Sequence, residues 1–191
     1  PRPVLGLLER AGSEQVRQFA VRALKGDFRA NLREVEAPWV ARLIAVDSAT
    51  VDDFVVWLLQ NVPKFEQGRF RELGLHEPVL RLLDSKGSDA VKYAAAYART
   101  HARDLELERL LRLANSRADD VRKLAFDLLG DRDPRKDIGL DAWGQLLGTQ
   151  YGHDLAASAL RKHFSARELT PAWFVDRLLD ERSKVFDFAS D

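Results

Sequence analysis

One amphipathic segment recurs along this chain, and it restricts the fold more than any other feature. "SEQVRQFAVRAL" at residue 13 returns as "SATVDDFVVWLL" at 48, "SDAVKYAAAYAR" at 88, "ADDVRKLAFDLL" at 118 and, more weakly, "HDLAASALRKHF" at 153. With the fourth residue of each copy counted as zero, apolar or small side chains tend to fall at 0, +3, +4, +7 and +8, the stripe of a 3.6-residue period. The first copy places Val16, Phe19, Ala20, Ala23 and Leu24 there; the second places Val51, Phe54, Val55, Leu58 and Leu59. The fourth places Val121, Leu124, Ala125, Leu128 and Leu129.

A second apolar motif precedes each copy and is often opened by proline, which sacrifices no hydrogen bond in a first helical turn. It reads "PVLGLL" at 3, "PWVARLI" at 38, "PVLRLL" at 78, "LERLLRL" at 107, "AWGQLL" at 142 and "PAWFVDRLL" at 171. The unit is therefore helix, short turn, second helix, and neither helix alone can bury its stripe. Ser13, Ser48 and Ser88 lead three copies as candidate caps, and Asp52, Asp53, Asp119 and Asp120 suit the positive end of a helix dipole. The zero positions Val16, Val51, Val91, Val121, Ala156 and Val185 are spaced 35, 40, 30, 35 and 29 residues apart, looser than a strict 34-residue array. In the longest interval Pro63 should end a helix, with a short extra helix over 65–73; "RANLREVEA" at 29 suggests another, and Ser165 and Glu168 form a candidate capping box.

A leucine pair, a polar turn and Ser/Asp-x-x-Val-Arg-x-x-Ala together resemble the HEAT repeat family. Leu7, Leu8, Ser13, Val16, Arg17 and Ala20 carry the pattern first. Leu82, Leu83, Ser88, Val91, Lys92 and Ala95 repeat it, as do Leu110, Leu111, Asp119, Val121, Arg122 and Ala125. The sequence departs at Asp52, where the family favours arginine, and at Ala156 and Ala157, which replace Val-Arg. The resemblance implies an all-α, right-handed α-solenoid of five to six antiparallel helix pairs, related in style to armadillo-like proteins, whose second helices line a concave face that binds macromolecules.

Composition narrows the function. The chain of 191 residues is 46% hydrophobic and 31% charged, as expected of a folded protein, and no linker rich in Gly, Pro or Ser divides it, so one domain over 1–191 is expected. Thirty basic and thirty acidic residues leave no net charge to attract nucleic acid or an anionic membrane. There is no cysteine, hence no disulfide and no thiolate chemistry. No apolar run reaches about 18 residues and the N-terminus does not read as a signal peptide, which makes a cytoplasmic location the expectation. His76, His101, His153 and His163 lack ligand spacing, and "DRDPRKDIGLDA" at 131 fails as a calcium loop because Arg135 and Lys136 occupy ligand and turn positions. Phosphate-cradling glycines and a nucleophile elbow are missing too. We therefore expect no enzymatic activity, no cofactor and no metal.

Positions +2 and +6 of the second helices form a row off the apolar stripe, where Trp57, Tyr93 and Tyr97 stand out. With Arg22, Lys92 and Lys123 they make the candidate site for a protein partner, because aromatic side chains supply large contact area at low entropic cost. Packing against the neighbouring repeat or the segment at 63–75 is the competing role for these aromatics. Nucleic-acid binding, in the manner of HEAT-like DNA glycosylases, is the second expectation; Arg17, Arg22, Lys92, Arg99, Arg103, Arg122 and Arg161 would supply its track and Asp52, Asp53 and Asp127 would oppose it. The sequence implies no oligomeric state. Trp39, Trp143 and Trp173 read as inter-repeat packing. The terminal "RSKVFDFASD" aligns Val185, Phe188 and Ala189 with Val16, Phe19 and Ala20, as the start of a sixth second helix, and suggests continuation in a longer polypeptide.

Overall fold

In the computed structural model, which describes residues 2–178, the alternating apolar motifs become alternating helices. The shorter motifs form α1 (Arg2–Arg10), α3 (Ala37–Ile44), α5 (His76–Arg81), α7 (Leu107–Ala114), α9 (Gly139–Leu147) and α11 (Pro171–Leu178). The recurring segments form α2 (Glu14–Lys25), α4 (Ala49–Asn61), α6 (Ser88–His101), α8 (Asp119–Gly130) and α10 (His153–His163). The fold is all-α: no strand occurs among the described residues, and no helix there is long and apolar enough to cross a membrane. The proposed sixth second helix, with Val185, Phe188 and Ala189, lies outside the described residues. Although no linker marks a boundary in the sequence, packing divides the chain after His101, into unit 1 (Pro1–His101) and unit 2 (Ala102–Asp191).

In unit 1 each first helix packs on its second, α1 on α2, α3 on α4 and α5 on α6. Like helices also touch like: α1 meets α3 and α3 meets α5, while α2 meets α4 and α4 meets α6. The central helix α4 therefore has neighbours on both sides, and Val51, Phe54, Val55, Leu58 and Leu59 are all buried. At about 2 kcal/mol for each such side chain, this stripe alone contributes on the order of 10 kcal/mol before entropic costs. The equivalent stripe of α2 is only half used. Ala20 and Leu24 are fully buried, but Val16 is 37% and Phe19 60% exposed. The expectation that Val16 and Phe19 are core fails because, among the described residues, α2 is flanked by α4 on one side and by no earlier pair on the other.

The 40-residue interval holds an inserted turn rather than the expected helix. Pro63 follows the end of α4, Gln67–Arg69 form one turn of 3-10 helix, and Phe65, Phe70 and Leu75 are buried beneath it. The Phe70 carbonyl accepts from the backbone N–H groups of Leu75 (2.8 Å) and His76 (3.1 Å), closing the turn through Gly74 at φ 68°, where a Cβ would be strained. "RANLREVEA" likewise becomes a 3-10 helix over Arg29–Glu34.

The three serine caps behave differently. Ser48 Oγ accepts from the Val51 N–H at 3.3 Å, as a cap should. Ser13 instead donates to Gln15 Oε1, and at α6 the free Ala90 N–H is taken by Asp53 Oδ1, reaching from α4 at 3.1 Å. Unit 2 repeats the pairing, α7 on α8 and α9 on α10, with α7 also against α9. A π-turn over Pro134–Ile138 packs against α8, α9 and α10. Asp133 Oδ1 caps it by accepting from the N–H groups of Arg135 (2.9 Å) and Lys136 (2.8 Å), so the acidic loop that resembled a calcium site is a capped turn. Trp143 is buried there and donates from Nε1 to the Pro134 carbonyl at 3.0 Å, which ties its helix to the turn that leads into it. Glu168 accepts from the Ser165 N–H at 2.8 Å, which is one half of the expected capping box.

Candidate functional site

A groove of about 670 Å³ opens on the second helices of unit 1. α2 contributes Lys25; α4 contributes Asp53, Val56, Trp57 and Gln60; α6 contributes Asp89, Lys92, Tyr93 and Ala96; the inserted turn adds Gln67. These residues converge because α2, α4 and α6 lie side by side and the positions off each apolar stripe face the same way. Trp57 stacks on Phe54 of its own helix, with ring centroids 6.0 Å apart. Lys25 Nζ lies 5.1 Å and the Arg29 guanidinium 5.7 Å from the Trp57 ring centroid, close enough for cation–π attraction. Tyr93 is 8% exposed, and its side chain hydrogen-bonds Gln67 while burial holds the phenol above its ordinary pKa. Burial also lowers the Lys25 pKa, and the carboxylates of Asp53 and Asp89 counter it.

Of the residues expected at the site, Trp57, Lys92 and Tyr93 line this groove together. Tyr97 does not. It is 1% exposed, its hydroxyl lies 2.7 Å from His76 Nδ1, and its ring packs 5.2 Å from Phe70 and 4.9 Å from His101. The inserted turn brings Phe70 and His76 over the +6 position of α6, so Tyr97 serves the core and is corrected from the binding row. Arg22 is exposed on α2 but is not among the lining residues. Lys123 is exposed on α8 in unit 2 and does not line it either. Lys25, Gln67 and Asp89 were not anticipated. Lys25 sits in the last turn of α2, where a lysine reads as a dipole partner, and Gln67 arrives through the insertion.

Three of the seven residues of the basic track are spent on internal partners. Arg17 pairs with Glu14 at 3.3 Å, Arg103 with Asp131 at 2.7 Å, and Arg122 with Asp119. Arg122 also donates to the Ser116 carbonyl and lies over the Tyr151 ring. Asp52, the departure from the repeat pattern, is 7% exposed and accepts from Ser85 Oγ at 2.5 Å through Oδ2, while Oδ1 accepts no hydrogen bond among the described residues. Burial pushes its pKa up to about 6 against the lowering effect of Ser85. Ser85 is itself held in the α5–α6 turn, accepting from the Gly87 N–H at 2.9 Å. A Cβ on Gly87 would overlap the Asp53 carboxylate and press on the Ala49 carbonyl at 3.2 Å, so the turn approaches α4 closely because residue 87 is glycine. Asp52 and Asp53 thus tie α4 to the next helix pair.

No group of three or more His, Cys, Asp or Glu side chains is arranged to hold a metal among the described residues. No family model matches the chain, and neither does any curated protein or solved structure.

Proposed function

We propose that the chain is a HEAT-like, right-handed helical-repeat scaffold without catalytic activity, which works in the cytoplasm by holding a segment of a partner protein in the groove of unit 1. The observation that carries this reading is the convergence of Trp57, Tyr93 and Lys92 from two adjacent second helices on one groove, closed by Lys25 of a third. Trp57 is half-buried and flanked by cations, so a bound segment would gain apolar area at little ordering cost, as at binding hot spots. Because Arg17, Arg103 and Arg122 are neutralised within the repeats, the arginine track gives nucleic acid less support.

Panning a random 12-residue peptide library on the immobilised chain tests this. Enriched peptides should lose at least about tenfold in affinity on Trp57→Ala, the size expected of an anchor worth more than about 1.4 kcal/mol. Peptides that bind Trp57→Ala as well as the parent chain would overturn it.

A further inference from the structure

Trp57 is the shared wall of two depressions that differ in charge. The larger groove carries Lys25 and Lys92 against Asp53 and Asp89, two of each sign. On the other side a depression of about 310 Å³ is lined by Arg29, Ala30, Leu32, Arg33, Trp57, Asn61 and Val62, with two cations and no carboxylate. Arg29, Arg33 and Lys92 form no ion pair with any described residue. Of the two acids in the larger groove, Asp53 already receives the Ala90 N–H on Oδ1. In a molecule with thirty charges of each sign, this local surplus of positive charge is an arrangement and not a composition effect.

We propose that the segment bound by unit 1 is a short acidic stretch of the partner protein, lying across Trp57 with its carboxylates toward Arg29 and Arg33. This rests on the reading above, that the Trp57 groove takes a protein segment, and adds the partner's chemistry. Two observations beyond charge support it. The contacts of Lys25 and Arg29 with the indole restrict two long side chains beforehand, so less rotamer entropy is lost when an anion arrives. Lys25 is partly desolvated, which strengthens the attraction of any carboxylate brought beside it. Asn61, whose Nδ2 donates to the Trp57 carbonyl at 2.7 Å, fixes the edge of the same wall. A duplex would meet the same cations, but its evenly spaced phosphates would also be forced against Asp53 and Asp89, whereas a peptide can place neutral residues there.

The test uses the full chain and a fluorescein-labelled 12-residue peptide of alternating Glu and Ser with one central Leu, read by fluorescence anisotropy beside a Lys/Ser counterpart. The Glu peptide should bind at 50 mM NaCl and weaken at least about tenfold at 300 mM, as exposed charges are screened. The double change Arg29→Glu/Arg33→Glu should cost at least tenfold. Arg117→Glu/Lys123→Glu, an equal change of net charge in unit 2, should cost less than twofold. Equal losses in both double variants, equal binding of the Lys peptide, or displacement by duplex DNA at equal affinity would each overturn the proposal. If the Glu peptide fails while library peptides still require Trp57, only the acidic chemistry falls; if nothing requires Trp57, the groove reading falls with it. Helical circular dichroism of each variant confirms that the fold survives.

Discussion

Replacing Asp52 by asparagine should stabilise this protein at neutral pH, although it removes a charge engaged in a hydrogen bond. The carboxyl is buried, with one oxygen bonded to Ser85 Oγ and the other accepting nothing among the described residues. Its pKa rises from 3.8 to about 6, and desolvation is the largest cause. Between those values the folded chain holds a proton that the unfolded chain has released, so stability falls as pH rises through this range. The loss is absent below about pH 3 and complete above about pH 7. At about 1.4 kcal/mol for each tenfold change in proton affinity, it amounts to about 3 kcal/mol, an upper figure because nearby side chains relax around a charge. The amide introduced by Asp52→Asn would keep an oxygen for Ser85 and would not ionise. Urea denaturation of both proteins, followed by circular dichroism at pH 4, 5, 6 and 7.5, gives the difference in stability between them. That difference should move in favour of Asp52→Asn by about 2–3 kcal/mol from pH 4 to 7.5. A difference already present at pH 4 reports only how well the amide fits; a difference that stays the same from pH 4 to 7.5 refutes the assignment of a buried, uncompensated carboxyl.

Two further perturbations examine the packing and the capped turn. Phe54 and Phe19 occupy the same register position, yet Phe54 is buried and Phe19 exposed, so Phe54→Ala should cost about 3–5 kcal/mol in urea unfolding and Phe19→Ala under about 0.5 kcal/mol; equal costs would show that α2 is covered in solution. Arg135 grips Glu168 with two bonds, at 2.8 and 3.0 Å, which together with the donors of Ser165 holds the Glu168 pKa down to about 2. The stabilising effect of that depressed carboxyl is present above about pH 4.5 and is lost as pH falls toward 2. Arg135→Ala should raise the NMR titration midpoint of Glu168 toward 4.5, and an unmoved midpoint would place the cause elsewhere.

Periodicity exposed the helices well because burial is written into each segment locally. Every recurring copy became a second helix, and "PWVARLI" and "LERLLRL" became α3 and α7 to within a residue. What periodicity could not weigh was position within the set of pairs. Val16 and Phe19 satisfy the same pattern as Val51 and Phe54, but burial needs a neighbour on the outer side as well as the right spacing. The lining of the groove was legible only in part. Trp57 and Tyr93 reach it from the +6 and +2 positions and Lys92 from the place beside them, whereas Tyr97 is removed from the surface by Phe70 and His76 of an insertion whose fold the sequence pattern did not reveal.

The polar contacts carry a second period that no local reading can detect. Glu14 accepts from Ser48, 34 residues on, and Asp52 from Ser85, 33 on. Asp53 accepts from Ala90 across 37 residues, Asn115 from Tyr151 across 36, and Glu168 from Arg135 across 33. Each separation is close to one helix pair, so within a unit a turn is held chiefly by the pair next to it, as expected where stability is shared between nearest neighbours. This explains why Asp52 and Asp53, at the start of α4, read from sequence as partners of their own helix dipole, yet reach outward instead. It also explains the departure at Asp52. An arginine in the equivalent place, Arg122, bonds within its own turn to Asp119 and the Ser116 carbonyl, whereas the shorter carboxylate meets the hydroxyl of the following turn. The residue that departs from the repeat pattern is therefore the one that couples α4 to the α5–α6 turn, beside the groove that Trp57 and Tyr93 line.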